Sequence, residues 1–382
     1  MTGSATFRLH PKSTVTGPNP QGMTPLLAGL ARGDTIHARH AGIETIAGDQ
    51  QWLLCETSGS SGAPKTIRRS PQSWQASFAI TAEAYAITAA DTYVTLGPIG
   101  HSLTLYATLE ALHIGADIAG LAGISPRAQM RHIAGFNPCV IYATPAQLGL
   151  LLQGAKVAKI DTVAHVRYIF CGGGALNDTL RGQILSVFPQ TQLHEFFGAS
   201  ETSFITITDA KTPRGSVGRA YWGVQLRLDD SGEIWVKSPY LFAGYASGAA
   251  QDTRWDGAYL SIGEIGYLDP QSYLFVQGRK SRMVTVADHN VFPDRIEALL
   301  MSAASITQCA AIALPDPKRG QRIICVLQCV GDPDFADLRQ LCQHHLGAPS
   351  VPKGFVVIPE IPLLPAGKPD LAKLSQWLKD RA

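Results

Sequence analysis

A repeated order of apolar strand, glycine or proline turn and helix between residues 55 and 209 most constrains how this chain can fold. Three apolar runs fit buried strands, at residues 93–96, 139–142 and 167–170. Each run is followed by a turn and then by residues with helical spacing. Strands that alternate with helices in this way form a parallel sheet with helices on its faces. We therefore predict an α/β fold with a ligand site at the carboxyl ends of these strands.

Two helix starts carry local signals within this pattern. Thr144 and Pro145 fit the N-cap and first position of a helix that continues through residue 152. Helical spacing is also present over residues 103–114 and 176–187. These segments are the predicted helical cover of the sheet.

The pattern of the chain changes twice after this region. Beyond residue 215, short alternating strands surround turn sequences at 229–232 and 269–272, which predicts β-hairpins of a smaller, barrel-like sheet. From about residue 278 onward, short strands and helices mix over about 100 residues, enough for a separate α+β unit. We predict a large N-terminal domain at residues 1–280 and a small α+β C-terminal lid at residues 281–382.

Composition and charge exclude several classes of protein. The net charge of +2 argues against a general nucleic-acid binder. The seven cysteines form no CxxC pair, so they indicate neither a zinc site nor a disulfide framework, and we expect a reducing, cytoplasmic location. The N-terminus lacks the apolar run of a signal peptide, and the longest uncharged stretch, 136–155, contains two prolines. We expect no membrane span.

The most informative segment, residues 57–65, reads TSGSSGAPK. Alternating glycines let the backbone approach a polyanion, hydroxyl and N–H groups donate hydrogen bonds, and a lysine neutralises phosphate charge. The spacing differs from the Walker arrangement, and a polar flexible loop is the alternative interpretation. The predicted phosphate-binding residues are Thr57, Ser58, Gly59, Ser60, Ser61, Gly62 and Lys65.

This segment and several later ones, in the same order, resemble the adenylate-forming superfamily of acyl- and aryl-CoA synthetases, peptide-synthetase adenylation domains and beetle luciferases. The resemblance extends from about residue 54 to residue 374. Residues 171–176, CGGGAL, are similar to the adenine-binding turn of the family, and residues 194–201, HEFFGASE, to its YGxTE motif. The resemblance implies that Phe197 stacks on adenine, that Ser200 contacts phosphate and that Glu201 binds Mg²⁺. Further nucleotide-binding positions in these motifs are Gly173, Gly174, Ala175 and Gly198.

Later motifs extend the same resemblance. Glu264 occupies the position of an aspartate that holds both ribose hydroxyls, and a carboxylate one methylene longer can still accept both hydrogen bonds. Arg279 matches the ribose–phosphate contact that ends the large domain. Lys368 lies in a stretch that resembles the C-terminal PxxxxGK motif, whose lysine reaches the carboxylate and α-phosphate during adenylation.

The acid-binding residues are less specifically marked. His101 matches the family position beside the substrate carboxylate, although a histidine at a helix start is more often a cap or a packing residue. Three aromatic residues are candidates for the acid pocket, and ordinary core packing is the alternative for each: Tyr142, Phe196 and Phe204.

Three features depart from the family pattern. Only 56 residues precede the phosphate loop, so we expect a compact member with a shortened N-terminal subdomain. Ser281 stands at the hinge where the family usually has aspartate or lysine, and Asp288 stands where glycine is usual near the pantetheine tunnel. An added carboxylate there makes a carrier-protein arm, or no thiolation at all, an alternative to CoA.

The resemblance implies an ATP- and Mg²⁺-dependent acid–thiol ligase. It would form an acyl-AMP, release pyrophosphate and transfer the acyl group to the pantetheine thiol of CoA or an acyl carrier protein after the lid rotates. Bringing a carboxylate to ATP joins two anions, so cations must offset their repulsion; Lys65, Lys368 and Arg279 carry that charge. The alternatives are an adenylating enzyme with a non-thiol acceptor and a non-catalytic nucleotide- or acyl-binding module. The identity of the acid, and the choice between monomer and homodimer, stay open.

Overall fold

The computed structural model describes residues 6–18, 20–57, 65–136, 139–303, 305–364 and 369–381. Its α-helices, numbered in chain order, are α1 (Thr24–Arg32), α2 (Pro71–Ala84), α3 (Ser102–Ile114), α4 (Pro126–Ile133), α5 (Pro145–Ala158), α6 (Asp178–Val187), α7 (Pro293–Leu300), α8 (Phe335–Leu346) and α9 (Leu371–Lys379). Within these ranges, no helix is both long and apolar enough to cross a membrane.

The strands that precede the hairpin region are β1 (Val15–Thr16), β2 (Thr35–Arg39), β3 (Gly42–Ile46), β4 (Leu53–Thr57), β5 (Lys65–Arg69), β6 (Thr92–Thr95), β7 (Asp117–Gly120), β8 (Cys139–Ala143), β9 (Val166–Cys171), β10 (Gln192–Ala199), β11 (Ser203–Ile207) and β12 (Arg219–Ala220). The remaining strands are β13 (Gln225–Leu228), β14 (Glu233–Lys237), β15 (Gly244–Ser247), β16 (Arg254–Asp256), β17 (Tyr259–Leu268), β18 (Leu274–Arg279), β19 (Val284–Val286), β20 (His289–Val291), β21 (Ile306–Asp316), β22 (Gly320–Cys329) and β23 (Gly354–Val357).

The largest sheet has the strand order β1-β7-β6-β8-β9-β10-β11-β12 over the described part of the chain. Strands β1, β7, β6, β8, β9 and β10 pair in parallel, and β11 and β12 are antiparallel additions at one edge. The three predicted strands are β6, β8 and β9, which lie side by side. The predicted helix-covered parallel sheet is therefore confirmed.

Both faces of this sheet are buried, which explains why its strands read as continuous apolar runs. Successive side chains of a strand point to opposite faces. Accordingly, Val94 and Ile141 pack toward α4, α5 and α6, whereas Tyr93 and Val140 pack toward α2 and α3. Helix α3 is buried along residues 104–112 and is apolar on almost every side, as expected for a helix between two layers.

The helix starts follow the local signals. Thr144 accepts a hydrogen bond from Gln147 N, and the Gln147 side chain returns to Thr144 N, which completes a capping box. Helix α5 continues to Ala158, six residues beyond its predicted end, because apolar contacts with α4 and α6 extend it. Helix α6 begins at Asp178 rather than at residue 176, since the Asn177 side chain caps it by accepting from Leu180 N.

Two further sheets flank the large one. One has the order β15-β5-β4-β2-β3, and the other is an antiparallel sheet β13-β14-β17-β16 with β18 also paired to β17. The predicted hairpins correspond to β13–β14 and β17–β18. The first of these sheets places the end of β4 and the start of β5 next to the large sheet.

The C-terminal region has hydrophobic clusters of its own. Its sheet β21-β22-β23 packs α7 and α8 against one face, where Ile296 and Leu327 are buried. Helix α9 covers the other face, where Val326 contacts a cluster that includes Leu374. This arrangement confirms the predicted α+β character of the C-terminal region.

A fully buried guanidinium connects three segments of the large region. Arg69, at the end of β5, donates through Nη1 to the main-chain oxygen of Tyr240 and through Nη2 to that of Ser200, at 2.5 Å. Its Nη1 also donates to Ser73 Oγ at 3.2 Å, and its guanidinium lies 5.4 Å from the Trp74 ring centroid. Burial lowers the pKa of Arg69 to about 10, so it remains charged at neutral pH.

Replacing this guanidinium should destabilise the fold. Arg69→Met removes the donors of two main-chain carbonyl groups, and an unsatisfied buried acceptor costs about 1–3 kcal/mol. We expect the free energy of unfolding, measured by denaturant titration, to fall by about that amount. Arg68→Met, at the exposed neighbouring position, is the matched control; it removes a guanidinium 4.7 Å from the Trp52 ring centroid and should change the free energy by no more than about 0.5–1 kcal/mol. Equal effects of the two substitutions would contradict this role of Arg69.

A second buried ionisable group lies in α3. Glu110 is fully buried and accepts a hydrogen bond from Tyr142 Oη at 2.7 Å, with Tyr106 Oη 3.4 Å away. Burial raises the pKa of Glu110 to about 8, although these tyrosine hydrogen bonds lower it. The Glu110 carboxyl group is therefore mostly protonated in the folded protein at neutral pH.

This raised pKa predicts a specific dependence of stability on pH. Between about pH 5 and pH 8, the folded chain holds a proton that the unfolded chain has released. Each unit rise in pH therefore lowers the free energy of unfolding by up to about 1.4 kcal/mol. Glu110→Gln keeps the shape and an acceptor for Tyr142 but does not titrate. We expect the stability of the wild type relative to this variant to decline from pH 5 to pH 8 in denaturant titrations. A stability difference between wild type and Glu110→Gln that is independent of pH would contradict the prediction. Glu83→Gln, at an exposed position of α2, is the control.

Candidate active site

A cleft of about 1900 Å³ lies at the carboxyl ends of the parallel strands. Thr144 follows β8, Gly173 follows β9, and His101 lies between β6 and α3; all three line the cleft. Residues of α7 and α8, among them Asp294 and His345, also line it. The parallel sheet therefore brings together turns that are far apart in sequence.

The two ends of the predicted phosphate loop meet at this cleft. Thr57 ends β4 and Lys65 begins β5, and they are cross-strand partners. Thr57 Oγ1 donates to the main-chain oxygen of Lys65 at 3.4 Å, and both residues line the cleft. The predicted loop residues between them lie outside the described residues: Ser58, Gly59, Ser60, Ser61 and Gly62. The predicted catalytic Lys368 also lies outside them.

The two predicted adenine-binding segments lie beside each other because β9 and β10 are parallel neighbours. Gly173, Gly174 and Ala175 line the cleft together with Phe197 and Gly198. Gly173 has φ +82°, a conformation that favours glycine. A Cβ at Gly198 would lie 1.9 Å from the main-chain oxygen of Ser203, so the bulge in β10 requires glycine.

Glu195 connects the two segments. Its Oε2 accepts a hydrogen bond from Leu176 N at 3.2 Å, and its Oε1 forms an ion pair with Arg181 of α6. A carboxylate with these partners holds the glycine turn against β10. The side chain is thus explained by the local structure rather than by chemistry at a substrate.

The predicted metal ligand, Glu201, lies in the cleft next to Ser200. Tyr245 Oη donates to Glu201 Oε1 at 2.8 Å, and Phe242 N donates to the main-chain oxygen of Glu201. Burial and the nearby Glu201 carboxylate raise the pKa of Tyr245, which keeps it a donor. The described residues contain no cluster of three or more histidine, cysteine or carboxylate side chains suited to a metal. Mg²⁺ commonly uses one or two protein carboxylates and completes its coordination with phosphate oxygens and water, so the residues present fit this ion.

The predicted ribose-binding pair is held in place by sheet pairing. Glu264 of β17 and Arg279 of β18 are cross-strand partners, and Arg279 Nε lies 3.1 Å from Glu264 Oε1. Both side chains line the cleft. A carboxylate and a guanidinium are therefore presented side by side, the first as an acceptor and the second as a donor.

His101 is the N-cap residue of α3, but its side chain makes no capping hydrogen bond. Its ring centroid lies 6.2 Å from that of His40, in an edge-to-face arrangement, and both rings line the cleft. Burial, and then the neighbouring His40, lower the pKa of His101, so the ring is neutral at pH 7. No motif marks His40, which also lines the cleft. A Cβ at position 100 would lie 1.9 Å from the main-chain oxygen of Arg39, so glycine is required where these two segments meet.

The predicted acid-pocket residues occupy different depths. Phe196 and Phe204 line the cleft and are in edge-to-face contact at 4.8 Å. Tyr142 lies deeper, where it is buried and donates to Glu110. Trp74 and Tyr106 also line the cleft. Sequence patterns did not indicate them, because an aromatic residue in an amphipathic or buried helix is assigned to the core by default.

Two predicted departures from the family pattern, Ser281 and Asp288, lie at different places. Ser281 Oγ donates to Asp252 Oδ2 at 2.7 Å at the edge of the cleft. Asp288, with φ +64°, occupies the turn between β19 and β20 and borders a separate cavity of about 400 Å³ together with Lys318 and Arg319. Their predicted effects on the thiol acceptor stay predictions.

Comparisons with known proteins agree with this geometry. The family described as AMP-binding enzyme matches residues 18–246, and the AMP-binding enzyme C-terminal domain matches residues 295–368. An uncharacterized acyl-CoA ligase, YhfT of Bacillus subtilis, is 25% identical over 353 residues, which cover 88% of this chain and 71% of that protein. The putative long chain fatty acid-CoA ligase VraA of Staphylococcus epidermidis is 30% identical over 319 residues, covering 82% and 68%.

Solved structures share the fold. The o-succinylbenzoate CoA synthetase MenE of Bacillus subtilis, in complex with its acyl-adenylate OSB-AMP, has a TM-score of 0.75 at 22% identity and covers 84% of this chain and 68% of its own. ATP-bound MatB of Rhodopseudomonas palustris has a TM-score of 0.74 at 20% identity, covering 97% and 80%. The predicted fold class, a large N-terminal region with a small C-terminal one, is confirmed. Since the family match spans more than half of the 382 residues, the resemblance seen in the motifs is confirmed, and the chain belongs to the AMP-binding, adenylate-forming enzyme family.

Proposed function

We propose that this chain uses ATP to activate a carboxylic acid as acyl-AMP, releases pyrophosphate, and transfers the acyl group to the thiol of CoA. The observation that carries the proposal is one cleft that gathers Thr57, Lys65, Glu201, Glu264 and Arg279. Relatives named as acyl-CoA ligases support the same reaction. The motif order alone suggested the reaction; the shared cleft adds the geometry.

Each group has a role that its position supports. The glycine turn at residues 173–175 and Phe197 bind adenine, and Glu264 with Arg279 bind the ribose. Thr57, Ser200 and Lys65, with the loop residues 58–62, bind the phosphates. Glu201 holds Mg²⁺, which, when bound, offsets negative charge on the phosphate oxygens. His101 is neutral, and its ring N–H donates a hydrogen bond to the substrate carboxylate. The carboxylate keeps its negative charge.

Charge in the cleft suits this reaction. The carboxylate of the acid must approach the α-phosphate, and both are anions. Lys65 and Arg279 line the cleft, and Lys368 is proposed to enter it from the C-terminal region. Preorganised cations stabilise the developing charge of the transition state more effectively than water, because they do not reorient during the reaction.

We further propose that the chain divides into residues 1–280 and 281–382 and that the second part rotates between half-reactions. The contacts around Ser281 support this division. Lys280 Nζ donates to Glu233 of β14 at 2.9 Å, whereas Arg282 pairs with Asp294 and Glu297 of α7. Those carboxylates raise the pKa of Arg282 and keep it charged despite burial. The two residues that flank Ser281 are thus tied to different parts of the molecule, and rotation occurs about the backbone between them.

A substitution of Lys368 separates the two half-reactions. Lys368→Ala removes a positive charge that offsets repulsion between the two anions during adenylation. That charge is not needed once acyl-AMP has formed. We expect acid-dependent ATP–pyrophosphate exchange to be abolished while transfer from supplied acyl-AMP to CoA continues. Lys373→Ala, at an exposed position of α9, is the matched control. Equal loss of both half-reactions would contradict the rotation between two arrangements.

The metal ligand is tested by its dependence on magnesium. Glu201→Gln keeps an acceptor for Tyr245 but removes the charge of the proposed ligand; losing even a partner that only orients a metal ligand typically reduces affinity about 10–100-fold. We expect the Mg²⁺ concentration that half-activates pyrophosphate exchange to rise by about that factor. An unchanged Mg²⁺ requirement with reduced activity would assign Glu201 a purely structural role.

The acceptor and location complete the proposal. CoA is supported by the names of the relatives, and an acyl carrier protein is the competing acceptor. Thioester formation with CoA and with a carrier protein, compared by mass spectrometry on the same acyl-AMP, separates the two. The cysteines are free thiols, which agrees with a reducing, cytoplasmic location.

A further inference from the structure

Four aromatic rings in successive contact form one wall of the cleft that His101 also lines. Trp74 comes from α2, Tyr106 from α3, Phe196 from β10 and Phe204 from β11. Tyr106 is in edge-to-face contact with Trp74 at 5.2 Å and with Phe204 at 5.1 Å. Trp74 and Tyr106 line the cleft yet are only 3% and 4% exposed, so they close this end of it rather than stand in open solvent.

Helix α3 measures the depth of this space. His101 precedes the helix and Tyr106 is five residues further on, which corresponds to about 7.5 Å along the axis. Below Tyr106, residues 107–112 are buried and do not line the cleft. With carbon–carbon bonds of about 1.5 Å, this depth holds roughly six carbon atoms of an extended chain.

Tyr106 is held in place and does not form an adaptable floor. Its Oη lies 2.8 Å from Ser77 Oγ, which itself donates to the main-chain oxygen of Trp74 at 2.7 Å. Behind it lies the buried carboxyl group of Glu110. Moving Tyr106 aside would break these hydrogen bonds and place an alkyl chain against a polar group, so a longer acid cannot extend the pocket at low cost.

The shape of the walls favours an aromatic guest. Aromatic rings prefer edge-to-face and offset contacts with one another, and such contacts add to what burial of apolar area alone provides. An aromatic ring that lies against the wall formed by Phe196, Phe204 and Tyr106 meets both ring faces and ring edges. A short saturated chain in the same space gains only from the burial of its surface.

On these grounds we propose that the acid is a single-ring aromatic carboxylic acid and that Tyr106 and Trp74 set the upper limit on its length. The proposal rests on the function proposed above and names the substrate class of the same cleft. It excludes long-chain fatty acids as substrates, although a relative at 30% identity is named as a putative long chain fatty acid-CoA ligase.

The test compares benzoate with decanoate in two assays on the full-length protein. Calorimetric titration in the presence of AMP measures binding of each acid, and pyrophosphate exchange measures its activation. We expect benzoate to bind and to have a kcat/KM at least about tenfold higher than that of decanoate. Comparable binding or turnover of decanoate, or binding of neither acid, would overturn the proposal. Selective binding of benzoate without any exchange would support the pocket and refute the proposed reaction.

Variants test the two residues themselves. Tyr106→Ala and Trp74→Ala should shift the ratio of the kcat/KM values, or of the binding constants, by about tenfold toward decanoate. Trp255→Ala, at an exposed position outside the cleft, should leave the ratio unchanged. If an alanine variant fails to fold, Tyr106→Leu replaces the ring with a smaller apolar group and should shift the ratio in the same direction. An unshifted ratio in folded variants would overturn the role of these residues.

Discussion

The parallel pairing of β6, β8, β9 and β10 is the constraint on which the rest of the structure depends. Parallel strands end at the same edge of a sheet, so the turns that follow them become neighbours although they are far apart in sequence. Thr144, Gly173 and Phe197 share one cleft for this reason. The register also accounts for the glycine at position 198, where β10 and β11 approach too closely for a Cβ.

The buried guanidinium of Arg69 holds the sheet β15-β5-β4-β2-β3 against this edge. Arg69 ends the strand that follows the phosphate loop, and it donates to the main-chain oxygen of Ser200, next to Glu201. A guanidinium can reach two carbonyl groups at fixed angles, which a lysine cannot. The strand that follows the predicted phosphate loop and the proposed metal ligand are therefore aligned by Arg69, which does not itself belong to any of the motifs.

The sequence predicted the elements that local patterns encode. Apolar runs, cap residues and turn sequences located β6, β8, β9, α5 and the hairpins, because strand burial, capping and turn formation depend on neighbouring residues. The motifs also located Glu201, Glu264 and Arg279 in the cleft. Helix ends were less well predicted: α5 extends past residue 152 because its contacts with α4 and α6 stabilise turns that have no local signal.

By itself, the sequence determined the fold class, the family and the nucleotide-binding motifs, since these depend on residue types at fixed spacing along the chain. Only the tertiary structure decided which residues form the aromatic wall of the cleft, the proposed acid site. His40, Trp74 and Tyr106 come from different elements and carry no motif, and their convergence depends on how β2, α2 and α3 pack around the sheet. Packing also decided the place of Tyr142, which lies one layer behind the cleft. The pleat of β8 sets the direction of its side chain, and its hydrogen-bond partner, Glu110, lies on the buried face of α3.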